Sequence, residues 1–164
     1  MKNKKTFVGI ALLIVVLVLG IAYAAITDTL TITGSAEATA SDENFKVVFD
    51  GEPTADTGVT ATVTGLKSAT MNVTGLTTAG QTKSATFTIK NNSPELKALV
   101  KLNTESITNE DFFEIETVVA NPTTPLEVSG TTTATVTVKL IKTPIENVTG
   151  TINVELGATA VLGN

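Results

Sequence analysis

Hydrophobic and polar positions along this chain follow two different rhythms. From Phe7 to Leu19 the residues form an unbroken apolar run of 13. Gly20 then interrupts it, and from Ile26 onward the period becomes two. Ile26, Leu30, Ile32, Gly34, Ala36 and Ala38 fall on one face of an extended segment, with Thr27, Thr29, Thr31, Thr33, Ser35 and Glu37 on the other. Asp28 alone breaks the apolar face. Successive strand side chains point to opposite sides of a sheet, so this pattern predicts a strand over 26–38 with one buried face.

The alternation recurs to the end of the chain. Phe45, Val47 and Phe49 mark a second strand. The segment from Gly51 to Gly58, with Pro53 and two acids, reads as a loop. Val59, Ala61, Val63 and Ala69, Met71, Val73 flank Gly65-Leu66-Lys67 and predict a hairpin. Ala85, Phe87 and Ile89 point inward from the next strand, which Asn91-Asn92-Ser93-Pro94 ends as a turn. Leu96 to Leu102 follows, then a single helical turn capped by Thr108 or Asn109, with acids in its first turn. Strands over 113–119, 132–140 and 152–156 complete the set. About nine short strands separated by turns, with almost no helix after the apolar run, predict an all-β, two-sheet antiparallel sandwich.

Composition narrows the chemistry. The chain of 164 residues has no Cys, His, Trp or Arg, and a formal charge of −5. Thiolate and imidazole metal sites, a cysteine nucleophile and a Ser-His relay are thereby excluded. With no disulfide framework, stability rests on apolar packing. An acidic chain without arginine is a poor phosphate binder, so no nucleic-acid partner is expected.

The acids cluster as Asp42/Glu43, Asp50/Glu52, Glu110/Asp111 and Glu114/Glu116. Paired carboxylates hydrolyse glycosides only when they face each other across a cleft. Loop and outward-strand positions suit solvated surface charge instead. Asp50-Gly51-Glu52 and Asp42-Glu43-Asn44 are fragments of a calcium loop without its full pattern. No catalytic residue, metal ligand or cofactor site is expected.

The N-terminal segment carries the stronger signal. Lys2, Lys4 and Lys5 precede the apolar run, and Ala22-Tyr23-Ala24 supplies a small-x-small site for cleavage before Ala25. This is the tripartite order of a secretory signal. Cleavage would leave eight lysines against 16 acids, a formal −8. The uncharged stretch from Phe7 to Ile26 is also long enough to span a bilayer as a retained anchor, which would be the chain's sole membrane contact. The expected organisation is a signal peptide or membrane helix over 1–25, an N-terminal strand over 26–38, and a β-sandwich domain over 39–164.

Several of these stretches resemble the TasA/camelysin family of exported bacterial β proteins. The junction from Gly20 to Asp28 is similar to the signal-peptide ends of that family. So are Leu76-Thr-Thr-Ala-Gly-Gln-Thr82 and the strand Ala85-Thr-Phe-Thr-Ile-Lys-Asn-Asn92 after it. Leu96 to Leu102 and the acidic-aromatic turn from Glu110 to Phe113 are in keeping. The chain is shorter than better-known members and lacks their long insertions. The metallopeptidase activity ascribed to camelysins does not carry over to a chain without His. The resemblance implies a jelly-roll-like subunit of an extracellular matrix fibre, processed by a SipW-type signal peptidase. It implies a strand leaving its own subunit to complete the sheet of the next. Here that strand would begin at Ile26, with Leu30 and Ile32 filling pockets and Gly34 allowing the bend. The rival reading is a monomeric, membrane-anchored surface binding module, and a surface hydrolase comes third.

Overall fold

Burial follows the predicted alternation closely. In the strand Thr82–Asn91, Ala85, Phe87 and Ile89 are inaccessible to solvent or nearly so, while the intervening Thr86 and Thr88 are half-exposed. Thr131–Leu140 repeats the pattern with Ala134, Val136, Val138 and Leu140. On their outer faces these two strands are joined by hydroxyl pairs, Ser84 to Thr137 at 3.1 Å and Thr86 to Thr135 at 2.9 Å. Such cross-strand pairs are the unit of sheet stabilisation.

The computed structural model describes residues 27–33 and 44–161. The described residues are all-β, without a helix, and comprise ten strands: β1 (Thr27–Thr33), β2 (Val47–Phe49), β3 (Thr54–Ala55), β4 (Val59–Gly65), β5 (Ser68–Val73), β6 (Thr82–Asn91), β7 (Lys97–Ile107), β8 (Phe113–Val119), β9 (Thr131–Leu140) and β10 (Ile152–Val161). One sheet runs β4-β5-β1-β10-β7. The other runs β2-β6-β9-β8, with β3 also paired to β6. Pairing is antiparallel throughout except between β1 and β5.

One apolar cluster draws on both sheets. Phe87, Ile89 and Val136 come from the second, and Ala69, Ala98, Val154, Leu156 and Ala158 from the first. Phe49 and Phe87 meet with ring centroids 5.9 Å apart and planes tilted by 58°, an arrangement that aromatic quadrupoles favour.

All nine expected strands have a counterpart, and β3 is added inside the predicted 51–58 loop. The hairpin across Gly65-Leu66-Lys67 forms as β4 and β5, with a register shift between Val63 and Gly65. The expected single turn after Thr108 forms at Asn109 and does not extend into a helix. Asn109 adopts φ 59, and its carbonyl accepts from the N–H of Phe112 and of Phe113. That left-handed conformation suits Asn.

The turn after β6 is held by Asn91, which is fully buried. Its Nδ2 donates to the carbonyls of Leu96, Leu126 and Glu127 at 2.8–3.2 Å, and its Oδ1 accepts from Ser93 N–H at 3.0 Å. One amide thus fixes three chain segments.

Candidate functional site: the slot between β5 and β10

The site follows from where β1 lies. Antiparallel pairing sets Thr27 opposite Thr159 and Thr33 opposite Asn153, and parallel pairing sets Thr31 and Ile32 opposite Ser68 and Ala69. Both neighbours in this sheet are far along the chain, and β1 is the strand that joins them. Without β1, the sheet would divide into a β4-β5 hairpin and a β10-β7 pair.

Register pairs the predicted apolar positions with core residues of β5 and β10. Leu30 stands opposite Leu156, and Ile32 stands between Val154 and Ala69, all three of them fully buried. A slip of one residue would pair threonines with these buried positions instead. Asp28, the exception in the pattern, stands opposite the fully buried Ala158. Thr29 and Thr31 stand opposite Gly157 and Glu155 on the other face.

The slot continues past Thr33 as a cavity of about 540 Å³. Thr70 to Leu76 line one side, and Val148 to Ile152 line the other, while Ile107, Phe113 and Val138 close its floor. Its walls are the onward continuations of the two strands that flank β1. The segment leading into β10 is pinned by Thr108, whose Oγ1 accepts from Thr151 N–H at 2.7 Å and whose N–H donates to Thr151 O at 3.0 Å. Asn109 Nδ2 donates to Thr149 O at 2.5 Å. The reversal after β7 therefore holds the cavity wall in place.

The bulge in β7 shapes the far side of β10. Register shifts there between Glu155 and Leu156, and Asn103 Nδ2 donates to Glu155 Oε1 at 3.1 Å. The Asn103 side chain lies across Gly157, where a Cβ would collide with its amide.

The remaining expectations sort as follows. Ala22, Ala24, Ala25, Ile26, Gly34, Ala36 and the Asp42/Glu43 pair lie outside the described residues, as do the apolar run and its signal helix. Asp50, Glu52, Glu110, Asp111, Glu114 and Glu116 are exposed, and Glu114 pairs with Lys139 at 3.1 Å. Among the described residues no group of three or more Asp, Glu, Cys or His gathers to hold a metal ion, and no helix is long and apolar enough to cross a membrane. The cavity was not foreseen from the sequence, because its two walls are separated by more than seventy residues. No protein-family model, curated protein or solved structure matches the chain.

Proposed function

We propose that this chain is a structural subunit of an extracellular fibre or biofilm matrix, of the TasA/camelysin type, and not an enzyme. The two sheets form a jelly-roll-like sandwich. Export removes residues 1–24 by a SipW-type signal peptidase cutting between Ala24 and Ala25. The freed strand, Ile26 to about Ala38, then enters the β5/β10 slot of the next subunit.

The observation that carries this reading is the place of β1 within its sheet. It is the first described strand, yet it fills an interior position whose neighbours hold their own outer partners, β4 and β7. The same register can be satisfied by a β1 from the same chain or from another. Backbone pairing supplies affinity, and alternate side chains facing buried positions fix register, as in strand addition generally. Domain swapping of this kind uses the contacts of the monomer and adds none. Head-to-tail exchange does not close, so it propagates as a filament. Gly34 and Ala36 of the incoming strand would continue along the cavity beyond Thr33.

Pairing of β1 inside its own subunit favours a second reading: a self-complemented monomer, held on the cell surface by a retained Phe7–Ile26 anchor. N-terminal sequencing separates the two, with a start at Ala25 or Ile26 expected for the fibre and Met1 for the anchor. Electron microscopy of the exported protein should then show filaments. Deletion of residues 26–33 should abolish them and leave monomers or an unstable fold. Unchanged filaments after that deletion would sink the proposal.

A further inference from the structure

Sheet edges offer unpaired N–H and C=O groups, and soluble proteins guard them with charge, proline, bulges or short strands. Among the described residues, three of the four edges here are guarded. β7 carries Lys97, Lys101 and Glu105, with Lys97 paired to Glu127 at 2.7 Å, and its start is bridged from Ala98 to Leu126. β8 projects Glu114 and Glu116. The β2 and β3 edge is broken into three-residue and two-residue strands by Asp50-Gly51-Glu52-Pro53, with Gly51 at φ 73.

β4 is guarded least: its one irregularity is the register shift between Val63 and Gly65, near its end. Its seven residues, Val59-Thr-Ala-Thr-Val-Thr-Gly65, contain no charge and no proline, and its neighbour β5 contains none either. Its place at the end of the sheet leaves β5 as its one strand neighbour. Val59, Ala61, Val63 and Met71 pack against the core cluster but stay only half-buried. An open edge and an incompletely covered apolar border therefore coincide.

We infer that β4 is the surface through which two copies of this chain pair side by side. The occupant follows from charge and register. A chain of formal charge −5 repels its own copy least where no ionisable group stands. Antiparallel pairing about a twofold axis at Thr62 sets Thr60 opposite Thr64, Ala61 opposite Val63, and Thr62 opposite itself. Apolar residues then meet apolar ones, and exposed threonines meet threonines, repeating the hydroxyl pairing already seen between β6 and β9. The two five-stranded sheets become one continuous sheet. This contact closes on itself, so it pairs subunits or neighbouring filaments without lengthening either. It does not depend on which subunit supplies β1.

The test exploits the absence of cysteine. In the full chain, Thr62→Cys creates the sole thiol. At a twofold axis its Cα would lie within disulfide reach of its copy. Under mild oxidation Thr62→Cys should cross-link about tenfold faster than Thr60→Cys or the β7 control Thr104→Cys, because only Thr62 meets itself. Equal rates for all three would overturn the inference. Thr62→Lys should weaken association about tenfold by sedimentation, and an equal mixture with Thr62→Glu should recover it. Association unaffected by Thr62→Lys would also overturn it. Cross-linking at Thr62 is read in the full chain with β1 in place, so it can fail while the donated strand stands, and the two ideas fail separately.

Discussion

Truncating Ile32 to alanine tests whether the slot between β5 and β10 binds through the face that register assigns. Ile32 stands between Val154 and Ala69, both with no accessible surface. The change removes three carbons from that position, worth about 2.4 kcal/mol at about 0.8 kcal/mol per buried methylene. Incomplete collapse of the resulting hole extends the expected cost to about 2–4 kcal/mol. In the fibre proposed above, each subunit junction should then weaken roughly 30- to 800-fold. The neighbouring Thr31 stands opposite Glu155 and Ser68 in register, both half-buried. Thr31→Ala should therefore change the junction by no more than about 0.5 kcal/mol. The assay is the concentration at which filaments first sediment, measured for both variants beside the unaltered chain. A large rise for Ile32→Ala and little change for Thr31→Ala is expected. Equal effects, or a larger effect for Thr31→Ala, would refute the assigned register.

Three further predictions concern the frame around the slot. Asn91→Ala leaves three carbonyls and one N–H without their amide partner and should cost about 3 kcal/mol in denaturant unfolding; a loss under 0.5 kcal/mol would contradict the clamp. Gly157→Ala should destabilise by about 1 kcal/mol or less, since the exposed Asn103 amide it meets can swing aside at the cost of its hydrogen bond to Glu155, and a double-mutant cycle with Asn103→Ala measures that coupling. Asp28→Val replaces a carboxylate at the position opposite buried Ala158 and should strengthen β1 pairing by about 1 kcal/mol, read as slower hydrogen exchange along Thr27–Thr33; faster exchange would place Asp28 on the outer face.

What the sequence made legible was the face each residue takes. Ala85, Phe87 and Ile89 or Ala134, Val136 and Val138 announce their burial by period alone, because a half-buried strand admits no other arrangement. Period says nothing about neighbours, so the interior place of β1 could not be foreseen. β3 escaped notice because two residues cannot display a period, and they sit amid Pro53, Gly58 and acids that signal a loop. The single turn at Asn109 was legible from its cap and acids, whereas the left-handed backbone at that residue has no signal beyond the Asn itself. β10 extends to Val161, beyond the predicted 156, since Ala158 and Ala160 carry the alternation with too little side chain to advertise it. The cavity has no local signature, being made by β5 and the approach to β10.

The interior position of β1 also sets a timetable. Thr27 pairs with Thr159, so the fold's first described strand must wait for its last. Synthesis at about 5–20 residues per second separates those two residues by roughly 7 to 26 seconds. Its other neighbour, β5, emerges earlier but contributes two parallel rungs. Until β10 appears, the first sheet cannot be completed from within, and closing so long a loop is slow in itself. The growing chain therefore cannot complete this sheet from within until β10 has emerged, which leaves β1 without its antiparallel partner for most of that interval.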